Sequence, residues 1–96
     1  MDAVVVYDIC TEDAPGRRRL ARVAKVCEGF GIRVQKSVFE CRLPEASFEK
    51  LLQQLRKEIN PSFDSVIIYR IRGDVDDVRT TFGRPPATDL GGAWLV

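Results

Sequence analysis

The 96-residue chain contains no histidine, and this absence narrows the chemistry that it can perform. Histidine is the most frequent general base in enzymes and a common partner of cysteine at zinc sites. The sequence also lacks a G-x-x-x-x-G-K loop for nucleotide phosphates, and no serine or cysteine has an evident base beside it. We therefore do not expect catalysis through a nucleophilic side chain.

Long apolar runs and paired cysteines are also missing. No run approaches the roughly 20 apolar residues that cross a bilayer, and the acidic start Met1-Asp2 lacks the basic region of a signal peptide. The 3 cysteines are odd in number and show no C-x-x-C spacing, which argues against disulfides and zinc. The sequence therefore predicts a cytoplasmic protein with no membrane partner and with reduced thiols at Cys10, Cys27 and Cys41.

The residues that are present have the composition of a packed globular domain. Hydrophobic residues make up 45% of the chain and charged residues 30%, which argues against a disordered or fibrous protein. The formal net charge is only +1, but residues 14–42 hold eight Lys or Arg against two Glu. The basic character is therefore local, and the overall charge does not point to a polyanionic partner.

The apolar pattern predicts six elements in the order β-α-β-β-α-β. Continuous apolar runs indicate buried strands, and apolar residues spaced three and four apart indicate helices. After Ser37 the strand alternation changes phase, so a bend, bulge or tight hairpin must divide this region into two short strands. The predicted elements are a strand at 4–9, a helix at 16–28, two strands on either side of 35–37, a helix at 44–59 and a strand at 65–72.

This order predicts an α+β fold, a ferredoxin-like two-layer sandwich with both helices on one face of an antiparallel sheet. We assign residues 1–72 to the core and residues 73–96 to a C-terminal tail of the same domain. Apolar pieces at 78–82 and 93–96 predict extra strands that cover a sheet edge, either their own or that of a dimer partner. The tail residues expected at a dimer interface are Trp94, Leu95 and Val96.

Asp8 is the most unusual residue of the first strand. An ionised carboxylate in an apolar strand is costly unless it is paired, binds a cation or lies at a wet end. Two explanations stay open: Asp8 ends the strand or pairs with an arginine, or it binds a metal. Magnesium keeps several waters and takes one or two protein carboxylates, so two copies of Asp8 across a two-fold axis could form a site that one chain lacks.

The other acidic residues have simpler explanations. Glu12 and Asp13 could join such a metal site, but they also precede a helix, where carboxylates cap free N–H groups and complement the helix dipole. Asp74, Asp76 and Asp77 lack the spacing of a calcium loop, and a solvated turn explains them. We expect capping at the first pair and no site at the second cluster.

A run of cations begins the first helix, where they gain nothing from the helix dipole. They either contact phosphates, since Arg and Lys bind nucleic-acid backbones without reading sequence, or form an ordinary solvated helix face. Arg42 extends the patch on the later strands. The predicted nucleic-acid contacts are Arg17, Arg18, Arg19, Arg22, Lys25, Arg33 and Lys36.

Four segments together resemble the second family of CRISPR-associated proteins, the Cas-two family. They are V-V-V-Y-D-I-C at 4–10, R-R-R-L-A-R-V-A-K at 17–25, R-V-Q-K-S-V-F-E-C at 33–41 and I-I-Y-R-I at 67–71. The resemblance covers nearly the whole chain. It implies a ferredoxin-like homodimer in which the C-terminal strand segment packs on the partner's sheet.

The resemblance also implies a function in CRISPR adaptation, the acquisition of spacers. The dimer would bind double-stranded DNA and bridge copies of the Cas-one integrase, while some members are described as magnesium-dependent endonucleases of RNA or DNA. Asp8, at the Y-D-I position, would then be the catalytic and metal-binding residue, one from each protomer, with magnesium or another divalent cation. The arginines that follow would contact the backbone of duplex DNA or single-stranded RNA.

The sequence leaves open whether the protein is an enzyme. One carboxylate per chain and no general base make a poor nuclease, so we rank a structural role in integration first. Two alternatives share the fold, which hosts many functions. They are a toxin-type ribonuclease of the virulence-associated protein D kind and a non-catalytic ferredoxin-like binding module.

Overall fold

The computed structural model describes residues 1–84, which follow the predicted order β-α-β-β-α-β and add one short helix. The α+β prediction is therefore confirmed, and element ends lie within one or two residues of the predicted ones, as helix and strand ends commonly vary. The elements are β1 (Asp2–Asp8), α1 (Ala14–Glu28), β2 (Ile32–Gln35), β3 (Val38–Arg42), α2 (Glu45–Glu58), β4 (Ser65–Ile71) and α3 (Val75–Val78).

Within residues 1–84 the strands form one antiparallel sheet in the order β2-β3-β1-β4, so β1 is an inner strand as predicted. At one end of β1, Asp2 pairs with Arg42 on β3 and with Ile71 on β4. At the other end, Asp8 pairs with Ser65 on β4. Six residue steps of about 3.3 Å place these two ends about 20 Å apart.

The predicted break between the two short strands lies between β2 and β3. Their register shifts between Arg33 and Gln35, which is a bulge, and a tight connection then leads to Val38. The backbone N–H of Tyr7 donates to the carbonyl of Ser37 at 3.1 Å, so β1 continues the pairing into this connection. The phase change in the sequence therefore marks a real irregularity of the sheet.

Both helices pack on the same face of the sheet because each carries one apolar stripe. The side chain of Asp13 caps α1, Pro15 lies in its first turn, and Gly29 follows its last residue. Burial raises the pKa of Cys27 to about 12 and that of Cys41 to about 11, so both thiols stay protonated in the core. The buried core includes Val5, Tyr7, Val23, Ala24, Cys27, Phe39, Cys41, Leu51 and Leu55.

The second face of the sheet is not covered by α1 or α2. Successive side chains of a strand point to opposite faces, and the alternating burial of β1 places Asp8 on this uncovered side. Ile67 is 48% exposed and Tyr69 is 55% exposed. We call this surface the open face; its central apolar residues are Val4, Val6, Val38, Ile67 and Tyr69.

Residues 73–79, which we call the strap, begin where β4 ends and return to the sheet. Asp74 caps α3 by accepting from the N–H of Asp76, and the N–H of Val75 donates to Oδ2 of Asp2 at 2.8 Å. The predicted strand at 78–82 is wrong, because this cap starts a helical turn and no strand follows it up to residue 84.

The remaining expectations for the tail lie outside the described residues. They concern the strand at 93–96 and its interface residues Trp94, Leu95 and Val96. The division between residues 1–72 and 73–96 stays a prediction. Among the residues that the structure describes, no helix is both long enough and apolar enough to cross a membrane.

Candidate nucleic-acid and metal site

Asp8 is the last residue of β1 and its side chain is exposed. The register of β1 with β3 stops at Val6, whereas the register with β4 continues to Asp8 itself. The carboxylate therefore lies at the solvent-exposed end of the strand, so it does not pay the desolvation cost of a charge within an apolar strand. It makes no ion pair within residues 1–84, so an arginine partner does not explain it there.

The donors around Asp8 fit only part of a metal site. Within the described part of the chain, no three His, Cys, Asp or Glu side chains lie close enough together to hold an ion. Asp13 is already used, since its Oδ1 accepts from the N–H of Gly16 at 2.8 Å; its predicted capping role is confirmed. One exposed carboxylate matches the low ligand demand of magnesium and would contribute half of a site shared by two chains.

The first turn of α1 packs directly against the chain that leaves β1. Gly16 is buried, and a Cβ placed on it would lie 1.9 Å from the carbonyl oxygen of Cys10. Only glycine allows this approach. The start of α1 and the residues after Asp8 are therefore held in close contact.

Asp64, just before β4, is the residue of this region that the sequence analysis missed. Its side chain is fully buried, with 0% of its surface exposed. Oδ1 accepts from the N–H of Cys10 at 3.1 Å and from Nη2 of Arg19 at 3.2 Å. Oδ2 accepts from Nε of Arg19 at 2.7 Å and from the N–H of Asn60 at 2.8 Å.

This set of bonds connects three elements of the fold. The guanidinium of Arg19, with help from the backbone N–H groups, lowers the pKa of Asp64 against the opposing effect of burial. Two of the partners lie 45 and 54 residues away in sequence, so no local spacing indicates them. The available signal was that Arg19 precedes the buried Val23 by four residues and so flanks the apolar stripe of α1.

The predicted phosphate contacts divide into two groups. Arg17, Arg18, Lys25 and Lys36 are exposed, and none of them pairs with a carboxylate within residues 1–84. The guanidinium of Arg17 donates to the carbonyl of Thr11, at 3.4 Å. These four cations are therefore available to an external anion.

The other three predicted contacts already have partners. Arg19 is 14% exposed and binds Asp64, while Arg22 is 2.8 Å from Glu58 on α2. Arg33 is also 14% exposed and lies 3.6 Å from Glu28, with its guanidinium carbon 5.1 Å from the centre of the Phe39 ring. Their nucleic-acid contacts stay predictions, and the structure gives each of them a role within the fold.

A charged network joins the strap to the open face at the other end of β1. Arg42 on β3 binds Asp76 and also Asp74, the latter at 2.9 Å. Arg79 binds Glu40 and Asp76. Hydrogen bonds from Arg42 and then Arg79 lower the pKa of Asp76. The side chains of Asp74 and Asp76 are still 47% and 55% exposed, so the turn is solvated as expected and is also held to the sheet by ion pairs.

This network forms one wall of a cleft of about 560 Å³. Its apolar wall comes from Phe30, Ile32 and Val34. The charged groups of the opposite wall already bind one another. Among residues 1–84, the cleft therefore has no unpaired charge in its lining, and it lies at the end of β1 remote from Asp8.

The fold and the site define a small ferredoxin-like protein with an open sheet face and an exposed aspartate ending its first strand, beside a helix that begins with arginines. The family model for CRISPR associated protein Cas2, the Cas-two family, matches residues 1–78. The chain therefore belongs to this family. This membership favours a CRISPR-associated protein over the toxin-type alternative.

Curated relatives and a solved structure are similar over most of the chain. The CRISPR-associated endoribonuclease Cas2 1 of Moorella thermoacetica is 50% identical over 72 residues, covering 75% of each chain. The CRISPR-associated endoribonuclease Cas2 3 of Rhodospirillum rubrum is 39% identical over 93 residues, covering 97% of this chain and 98% of the relative. A crystal structure of Streptococcus pyogenes Cas2 at pH 6.5 matches with a TM-score of 0.78 and 38% identity, covering 86% of this chain and all (100%) of that one.

Proposed function

We propose that this chain acts in CRISPR spacer acquisition as a homodimer that binds double-stranded DNA and bridges copies of the Cas-one integrase. The observation that carries the proposal is the set of exposed cations without carboxylate partners in the described residues, namely Arg17, Arg18, Lys25 and Lys36. Such cations bind phosphate backbones without reading base sequence. Backbone binding suits a protein that must accept DNA of many sequences.

The exposed apolar residues of the open face support the dimer in this proposal. The same apolar surface on two chains can pack against itself across a two-fold axis, and the half-exposed Ile67 and Tyr69 lie near its centre. Asp8 lies on the same side of the sheet. A second copy on this face would therefore bring two aspartates to one side of the assembly.

Charge on the open face should prevent the dimer. We expect Ile67→Asp to change the sedimenting species from dimer to monomer, because a carboxylate would be buried without a partner. Phe63→Asp is the matched control, since Phe63 is 66% exposed in the turn before β4. A wild-type monomer at assay concentration, or an Ile67→Asp dimer, would contradict the proposed interface.

Duplex binding should depend on the arginines that begin α1. Reversing Arg17 and Arg18 to Glu should weaken binding and flatten the plot of log affinity against log salt by about one unit for each phosphate that is no longer neutralised. Reversing Lys50 and Lys57 on α2 gives the same change in net charge on another exposed surface. Equal weakening in both variants would mean that only net charge matters, which would refute the assigned contacts.

Phosphodiester hydrolysis is the second candidate function. It is favoured by the exposed carboxylate of Asp8 and by the endoribonuclease names of the Moorella and Rhodospirillum relatives. Asp8 would hold magnesium or another divalent cation, which lowers the pKa of bound water and stabilises charge on the phosphate. The exposed arginines would position the substrate backbone, whether duplex DNA or single-stranded RNA.

Asp8→Asn separates the two candidates because it removes the negative charge and nearly preserves the shape. If scaffolding is the function, spacer acquisition in cells should proceed at the wild-type rate in this variant. If hydrolysis occurs, metal-dependent cleavage by the purified protein should disappear while its Tm stays unchanged. Cleavage that persists in Asp8→Asn would rule out this residue as the metal ligand.

A further inference from the structure

The backbone two residues after Asp8 is held from both sides. The N–H of Cys10 donates to Oδ1 of Asp64 at 3.1 Å, and its carbonyl oxygen packs against Gly16 so closely that a Cβ there would lie 1.9 Å away. The N–H belongs to the peptide group before the Cα of Cys10 and the carbonyl to the peptide group after it, so contacts on both sides restrict the backbone at Cys10. The direction in which the chain leaves Asp8 is therefore set by contacts outside β1.

The Asp64 carboxylate binds more than the N–H of Cys10. Arg19 contributes two of its four donors, and Arg19 follows directly after the exposed Arg17 and Arg18 in the same helical turn. Asn60 supplies the fourth donor from the end of α2. One fully buried carboxylate thus connects the end of β1, the first turns of α1 and the turn before β4.

We propose that Asp64 is a positioning residue that fixes the carboxylate of Asp8 relative to Arg17 and Arg18. The inference rests on the proposed function, because it gives Asp64 a role in that same site. The Asp64 side chain is 0% exposed and acts only through Cys10 and Arg19. Displacements of about 1 Å at a site can greatly weaken binding or catalysis, so the geometry held by Asp64 determines how well Asp8 presents its oxygens to a cation.

A purely structural role would make a different prediction. The Arg22–Glu58 pair also joins α1 to the end of α2, at 2.8 Å, but it makes no bond to the β1–α1 connection. If Asp64 only holds the helices together, removal of the Glu58 charge should affect Asp8 in the same way. If Asp64 positions Asp8, the two substitutions should differ.

The test titrates the full chain with Mn²⁺. Binding is measured by the paramagnetic broadening of the Asp8 amide signal in NMR spectra. Groups that hydrogen-bond a metal ligand directly change metal affinity by about 10- to 100-fold; Asp64 acts one step further away, through Cys10 and Arg19, so we expect Asp64→Asn to lower affinity by at most about 10-fold. Arg19→Lys, which keeps one charge but not the two-pronged contact, should lower it less. Glu58→Gln should retain wild-type affinity.

A second control separates positioning from reduced stability. A Cβ on Gly31 would meet Sγ of Cys41 and the carbonyl oxygen of Glu40 at 2.5 Å, so Gly31→Ala should destabilise the domain away from Asp8. Its folded molecules should bind Mn²⁺ like the wild type. If the wild type cleaves nucleic acid, Asp64→Asn should lower kcat more than it raises KM, since Arg17 and Arg18 remain exposed but are no longer fixed relative to Asp8.

The outcomes distinguish the two levels of the proposal. A wild-type chain without Mn²⁺ broadening at Asp8 would overturn the metal site and with it the role of Asp64. Wild-type broadening that is equally strong in Asp64→Asn would overturn the positioning role alone. An equal decrease of affinity in Glu58→Gln or Gly31→Ala would also overturn it, because general weakening of the fold would then suffice.

Discussion

Gly16, in the first turn of α1, is where we expect one added methyl group to be most disruptive. A Cβ at this position would lie 1.9 Å from the carbonyl oxygen of Cys10 and 3.1 Å from Oδ1 of Asp13. Contacts of real Cβ atoms essentially never fall below 3.0 Å. In Gly16→Ala the start of α1 must therefore move by about 1 Å away from the end of β1.

The cost of this movement has two parts and one offset. Overpacking costs about 1–3 kcal/mol, and weakening the Asp13 cap costs about 1 kcal/mol. Alanine recovers about 1 kcal/mol over glycine through its helix propensity. The net destabilisation of Gly16→Ala should be about 1–3 kcal/mol, and each kcal/mol lowers the Tm of a domain of this size by roughly 4–8 °C.

Thermal and urea unfolding would measure this destabilisation, with Gly29→Ala as the control. Gly29 follows α1 at φ −72, and an added Cβ would be 3.3 Å from the carbonyl oxygen of Val26, a tight but adjustable contact. The control should be neutral or slightly more stable than the wild type. Equal stability of the two variants would refute the close approach at Gly16.

Three further predictions concern acid, thiols and the strap. Arg19 holds the pKa of Asp64 below its ordinary value of 3.8. The ionised carboxylate therefore stabilises the fold fully above pH 3.8, and this stabilisation is lost as the pH falls through the lowered pKa. Acid should consequently lower the Tm of Asp64→Asn less than that of the wild type. Maleimide should label the half-buried Cys10 in the folded protein, whereas Cys27, with its pKa raised to about 12, should be labelled only in urea. Arg79→Gln should lower the Tm more at low salt than at high salt, because dissolved ions screen its partly exposed ion pairs. Calorimetry at two salt concentrations checks this expectation.

The sequence predicts most of the fold because the fold follows local periodicity. The helical spacing from Leu20 to Cys27 and the phase change after Ser37 each depend on a few neighbouring residues, and both correspond to observed elements. The capping role of Asp13 is equally local, since its partner Gly16 is three residues away. Such features need no knowledge of distant contacts.

The features that the sequence does not reveal depend on distant residues. Asp64 lies in a short turn without any pattern, and its importance comes from bonds to Cys10 and Arg19 on other elements. The strand predicted at 78–82 failed because the Asp74 cap and the bond from Val75 to the sheet outweigh a weak apolar signal.

Metal binding at Asp8 stays a prediction for a similar reason. The structure places the carboxylate in solvent at the end of β1. The position of a second carboxylate depends on how two chains meet, and a pattern within one chain does not encode that arrangement.

The length of β1 gives the domain two energetically independent ends. About 20 Å separates the strap contacts at Asp2 from Asp8, and effects of substitutions farther apart than about 10 Å usually add. The decreases in stability from Arg79→Gln and Asp64→Asn should therefore sum in the double variant. Residues of the strap can be redesigned to study assembly while the geometry around Asp8 is left intact.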